Sequence, residues 1–144
     1  MSQIDGRGMT IAVCVDDRGG MLFNGRRLSR DRGLIADLLE LAGDAPVRAA
    51  PFSAALFNGS CERVTVSDDF LDAAGAGDVC FVENADAAPY MDKVERFVIY
   101  RWNRDYPSDT LLDVRPEKYG LRLDESRDFA GSSHGRITRE VYVR

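Results

Sequence analysis

Several small groups of side chains in this 144-residue sequence are of types that do chemistry. Asp31 and Asp37 lie in a segment that reads as the first helix, where a carboxylate can act as acid, base or anchor for a cationic ligand. Spacing alone does not choose between them. Asp31 is preferred as the catalytic candidate, because Asp37 stands between core-like Ile35 and Leu38 and is as well placed to face solvent. Solvation is the commoner fate of helix charges and is the expectation for both. His134, the only histidine, sits in Gly131-Ser132-Ser133-His134-Gly135, where an imidazole can exchange a proton near neutral pH. A nucleophile and its base normally come from separate parts of a chain, so the adjacent Ser-His pair predicts a hydrogen-bonded structural loop rather than a catalytic couple.

Arg26, Arg27, Arg30 and Arg32 put four guanidiniums in one short stretch. Such a cluster can hold phosphate or carboxylate through paired hydrogen bonds, which makes Arg26, Arg27 and Arg30 anion-binding candidates. The plainer reading is a solvated surface paired with Asp31 and Asp37. Glu83 and Asn84 follow the apolar run Val79 to Val82. In an open α/β sheet the loop leaving the carboxyl end of such a strand overlies the ligand crevice. Trp102 and Tyr106, beside Arg101 and Arg104, can stack on a planar ring, although cross-strand pairing or an oligomer contact is the more usual role.

The elements that must position these groups alternate along the chain. Ile11 to Val15 is a continuous apolar run suited to a central strand, and Asp16 to Arg27 reads as a long loop with Met21, Leu22 and Phe23 exposed. A helix is predicted from a Ser29 cap to Leu41, stopped by Gly43. Val47 to Ala50 reads as a strand and Pro51 to Phe57 as a short helix; Arg63 to Val66 and Asp68 to Ala74 repeat that order. Val79 to Val82 and Phe97 to Tyr100 bracket a short crossover helix entered near Asp86, a strand, helix, strand unit. Gly120 to Leu123 and Arg136 to Val143 close the chain as a hairpin, with Asp124 to Gly135 its long loop.

Composition sets the class. An apolar fraction of 44% with 30% charged residues is that of one soluble globular domain, expected over residues 9–144, with residues 1–8 a flexible extension. No apolar run approaches a membrane span and MSQIDGRG lacks the centre of a signal peptide, so a cytoplasmic location is expected. Cys14, Cys61 and Cys80 have no metal-site spacing, and no metal is expected. A net charge of −5 argues against a dedicated nucleic-acid binder.

The ordered set of segments resembles the dihydrofolate reductase family from Met9 onward. IAVCVDDRGGMLFNG is similar to that family's first strand and active-site loop, and RAAPFSAALF to its strand-to-helix turn. CFVENADAAPYMDKV lies where the family has a glycine pair and a helix, FVIYRWNRDYPSDTLL resembles a late strand leading to the Asp-Thr pair Asp109-Thr110, and AGSSHGRITREVYVR resembles the closing strand. The resemblance implies an α/β fold with a mixed, mostly parallel central sheet, helices on both faces and a C-terminal antiparallel hairpin. It also implies a first-helix carboxylate that contacts a pterin, and a glycine pair that lets the backbone approach a cofactor pyrophosphate. Here Glu83 and Asn84 stand at the glycines, and Pro51 and Ser53 at an expected arginine and threonine, so no bound cofactor is expected, with NADPH as the alternative.

The patterns FNGRR, CFVEN, YRWNRDYP and AGSSHGRIT also resemble a group of uncharacterised bacterial proteins, some of them labelled ribonuclease Z. A two-zinc nuclease needs several histidines, and this chain has one. The expectation is therefore a small-molecule-binding protein on a reductase-like scaffold, with Asp31 and Glu83 as polar anchors for a cationic or heterocyclic ligand. Phe23 and Leu34 are its apolar walls, and Ser53 and Asn84 complete the ligand-binding set. A reductase acting on a pterin-like or other heterocyclic substrate, with the cofactor in an altered pose, is the enzyme alternative. A protein or nucleotide interaction module, built on the arginines and the Trp102 strand, is a third reading. A homo-oligomer is compatible with all of them.

Overall fold

The computed structural model describes residues 8–59 and 61–144; the extension expected over residues 1–8 lies, apart from Gly8, outside the described residues. The central strands are the apolar runs of the sequence: β1 (Met9–Val15), β4 (Val47–Ala49), β5 (Val64–Val66), β6 (Val79–Phe81) and β7 (Val94–Arg101). With β9 (Arg122–Phe129) and β10 (Ile137–Val143) they form a seven-stranded sheet in the order β5-β4-β6-β1-β7-β10-β9. The first five are mutually parallel, and β10 runs antiparallel to both β7 and β9. This is the expected mixed, mostly parallel sheet with its closing hairpin.

Both faces are covered, which is why the central strands read as unbroken apolar runs. Ile11, Val13, Val15, Phe97 and Ile99 point to one face, where Met91, Phe70 and Leu71 cover them. Ala12, Val98 and Tyr100 point to the other, against Leu34 and Leu38 of the α-helix α1 (Arg32–Ala42) and against Phe57. Helical content is lower than the pattern predicts. Among the described residues α1 is the single α-helix; 51–57 and 88–93 are 3-10 turns, and the helix predicted over Asp68 to Ala74 is a run of turns. The 3-10 runs hold only 7 and 6 residues, too few to offset the cost of α-helical nucleation.

Two further predictions are corrected. The segment after β1 is a hairpin and not a loop: β2 (Gly20–Phe23) and β3 (Arg26–Arg27) pair around Asn24-Gly25, both at positive φ, the geometry that an Asn-Gly turn favours. The strand β8 (Thr110–Leu111) joins β2 to make a three-stranded sheet, which buries Met21 and Leu22 and leaves Phe23 exposed. The closing hairpin pairs Phe129 with Ile137, so its loop is short and lies over 130–136. No helix among the described residues is long and apolar enough to cross a membrane.

Candidate functional site

Parallel strands β1, β4 and β6 end side by side, and their outgoing segments meet over one crevice. Arg27, carried in by β3, places its guanidinium against Glu83 through two hydrogen bonds of 3.0 Å each. The same guanidinium donates to the Phe52 carbonyl at 2.8 Å and lies over the Phe52 ring, 4.7 Å from its centroid. Ser53, fully buried, donates its hydroxyl to Glu83 at 2.7 Å. Glu83 is thus held by three charge-assisted bonds, two residues beyond the end of β6. Beneath it Cys14, Ser29, Leu34, Val82 and Trp102 line two voids of only about 10 Å³ each. Burial, helped by the Glu83 charge, pushes the Cys14 thiol well above its ordinary pKa, so it stays protonated and unreactive.

A second cluster closes the crevice from the side. Asp31 is the N-cap of α1 and accepts from the Leu34 amide at 3.1 Å; the predicted Ser29 cap lies two residues too early. The loop 130–136 lays the Ser132 and Ser133 amides on the same carboxylate, 2.8 Å each, and His134 Nδ1 lies 2.9 Å from it. Burial acts to raise the Asp31 pKa. The hydrogen bonds from the Ser132 and Ser133 amides, from His134 and from the Leu34 amide outweigh it and hold the carboxylate well below its usual range. On the far side of the ring, His134 Nε2 is 3.0 Å from Ser29 Oγ and 3.1 Å from the Tyr106 hydroxyl. Trp102 stacks on the imidazole with centroids 4.6 Å apart. Gly131 has no room for a side chain: a Cβ there would lie 2.4 Å from Asp31 Oδ2.

The structure therefore separates the two helix carboxylates, and neither is solvated. Asp31 is at the crevice. Asp37 is buried elsewhere, accepting from the Tyr100 hydroxyl at 2.7 Å and from Arg139 at 3.0 Å, with Arg127 also paired to it. The arginines separate as well, so the single anion cluster is corrected. Arg27 is committed to Glu83, Arg26 lines a groove of about 360 Å³ with Phe23, Tyr106 and Pro107, and Arg30 with Arg32 borders another of about 460 Å³. Phe23 belongs to that first groove rather than to the crevice; Leu34 is a buried crevice wall; Asn84 is exposed. The larger groove has Ile35, Ala55 and Leu56 as its apolar lining and shares Arg30, Asp31, Ile35 and Leu56 with the void beside Ser29. Ser29 was legible only as a cap, since no sequence spacing links it to His134.

No family model and no curated protein matches this chain. Solved structures do. A dihydrofolate reductase from Enterococcus faecalis, complexed with NADP(H) and RAB-propyl, superposes with a TM-score of 0.63 over 96% of this chain and 97% of that one, at 10% identity. The fold is dihydrofolate reductase-like. Nothing in this likeness points to ribonuclease Z, and no group of three or more His, Cys, Asp or Glu side chains among the described residues is arranged to hold a metal ion.

Glu83 and Asn84, which the sequence reading sets against a glycine pair, follow the end of β6. The amides that start the following 3-10 turn, Ala87 and Ala88, already donate to the Asp113 carboxylate at 3.0 and 2.9 Å. Pro51 opens its own 3-10 turn and offers no donor, while Ser53 is spent on Glu83.

Proposed function

We propose that this chain is a small-molecule-binding protein whose crevice is closed to a nicotinamide dinucleotide by its own side chains. The observation that carries this reading is the Glu83 carboxylate, locked by Arg27 and Ser53 where the strand ends meet. A pyrophosphate entering there would lose the amides that Asp113 occupies and would face an anion in a partly desolvated site. The sequence reading makes Asp31 and Glu83 anchors for a cationic ligand, but both carboxylates are already paired within the chain, which disfavours that role. The groove of about 460 Å³ instead has two exposed cations, Arg30 and Arg32, above an apolar lining. That combination suits a small molecule with an apolar body and an anionic group.

Calorimetric titration with NADPH, paired with thermal shift, tests the closure. Absence of binding at millimolar concentration is the expected result, and saturable micromolar binding would overturn it. Such binding would favour NADPH-dependent reduction of a heterocyclic substrate, the reading that the NADP(H) in the E. faecalis structure supports. Glu83→Gly removes the carboxylate and restores backbone access, and it should strengthen NADPH binding by at least about tenfold, roughly 1.4 kcal/mol.

A further inference from the structure

Two hydroxyls converge on one ring nitrogen of His134. A depressed carboxylate at Nδ1 accepts a hydrogen bond and nothing else, so Nδ1 must carry the proton, and the lone pair of the neutral ring is left on Nε2. That lone pair faces Ser29 Oγ at 3.0 Å and the Tyr106 hydroxyl at 3.1 Å. The ring cannot swing away: Trp102 is stacked on it, and Asp31 is itself fixed by the Leu34, Ser132 and Ser133 amides.

We infer that Ser29, His134 and Asp31 form a hydrolytic triad, with Ser29 the nucleophile towards small esters that carry an anionic tail. The arrangement has the carboxylate to Nδ1 and Nε2 to hydroxyl order that such triads require, and its members come from two distant parts of the chain, as they do on unrelated folds. Of the two hydroxyls, Ser29 lines the voids beneath Glu83, whereas Tyr106 lines the separate Phe23 groove. The void beside Ser29 shares Arg30, Asp31, Ile35 and Leu56 with the groove of about 460 Å³. Ser29 is half-buried, and the chain of an acyl group on it would have to part the shared wall at Ile35 and Leu56 to lie in the groove, with its tail carboxylate towards Arg32. Arg30 lines both spaces, which makes it the candidate cation for the oxyanion that would develop.

In the first step Ser29 Oγ bonds to the acyl carbon as its proton passes to Nε2; the bond to the leaving alkoxy group breaks, and the same proton goes to the departing oxygen. Water then attacks the acyl-serine, again giving a proton to Nε2, and that proton returns to Ser29 as the carboxylic acid leaves. Asp31 stays ionised throughout and keeps the imidazole in its tautomer, so it is a positioning residue.

This inference goes beyond the binding reading and is tested without NADPH. The full-length chain is treated with a fluorophosphonate probe and the modified residue mapped by mass spectrometry; hydrolysis of 4-nitrophenyl acetate and 4-nitrophenyl hemisuccinate is followed alongside. Label on Ser29 is expected, lost in Ser29→Ala and kept in Tyr106→Phe. Ester hydrolysis should fall about 100-fold or more in Ser29→Ala, and the hemisuccinate should be preferred. Failure of wild-type chain to take label, or label on Tyr106, Ser132 or Ser133 that survives Ser29→Ala, would overturn the triad. Equal turnover of both esters would overturn the anionic-tail assignment, whatever NADPH does.

Discussion

Asp31 satisfies its carboxylate entirely from within the chain, through three backbone amides and an imidazole. Replacing it by Asn removes the charge and turns an amide N–H towards groups that themselves donate. Asp31→Asn should lower stability by about 2–4 kcal/mol, measured by urea unfolding at pH 7. The folded carboxylate is held below its unfolded value. Its contribution is therefore complete above the unfolded carboxylate pKa of about 4, and is lost as pH falls from there towards the depressed folded value. Stability followed below about pH 4 should fall more steeply in the wild-type chain than in Asp31→Asn. Residue types marked Asp31 and His134 as candidates, but not that they touch. Ser29 stayed hidden because a serine before a helix already has an explanation as a cap, and Asp37 was misjudged because its partners Arg127 and Arg139 arrive from two strands, β9 and β10, 90 and 102 residues later.

At the scale of elements, one hairpin decides access to the crevice. β2 and β3 form a flap clamped to the sheet by Arg27 on Glu83, and β8 secures its other edge. Arg27→Ala would release the flap and leave Glu83 with a single side-chain donor. Hydrogen exchange of amides in 20–27 should accelerate by at least about tenfold while β1 and β7 keep their protection, as expected of a local opening. Uniform acceleration across the sheet would contradict the clamp. The flap was readable in principle, since Asn24-Gly25 between Met21-Leu22-Phe23 and Arg26-Arg27 is a strong hairpin signal, but the short, charged β3 concealed it. Likewise β9 reads as loop because it is a sheet edge, exposed and charged along nearly its whole length, and such edges are built to discourage pairing with another chain. The central parallel strands were legible for the opposite reason: burial on both faces leaves runs such as Ile11 to Val15 and Phe97 to Tyr100 almost wholly apolar.

For the molecule as a whole, the sheet centre and its margins should differ sharply in what substitution costs. Phe81 is buried and meets Phe57 edge to face at 5.7 Å, whereas Leu123 on β9 is 49% exposed. Phe81→Ala should cost about 3–5 kcal/mol and Leu123→Ala within about 0.5 kcal/mol, both read from denaturation midpoints. A comparable loss at Leu123 would mean that the β9 edge is covered in solution. The same architecture carries its only tryptophan to the one histidine. An imidazolium quenches an indole with which it stacks, and no other Trp dilutes the signal. Emission from the native chain is therefore an optical gauge of the proton on His134, readable without a label.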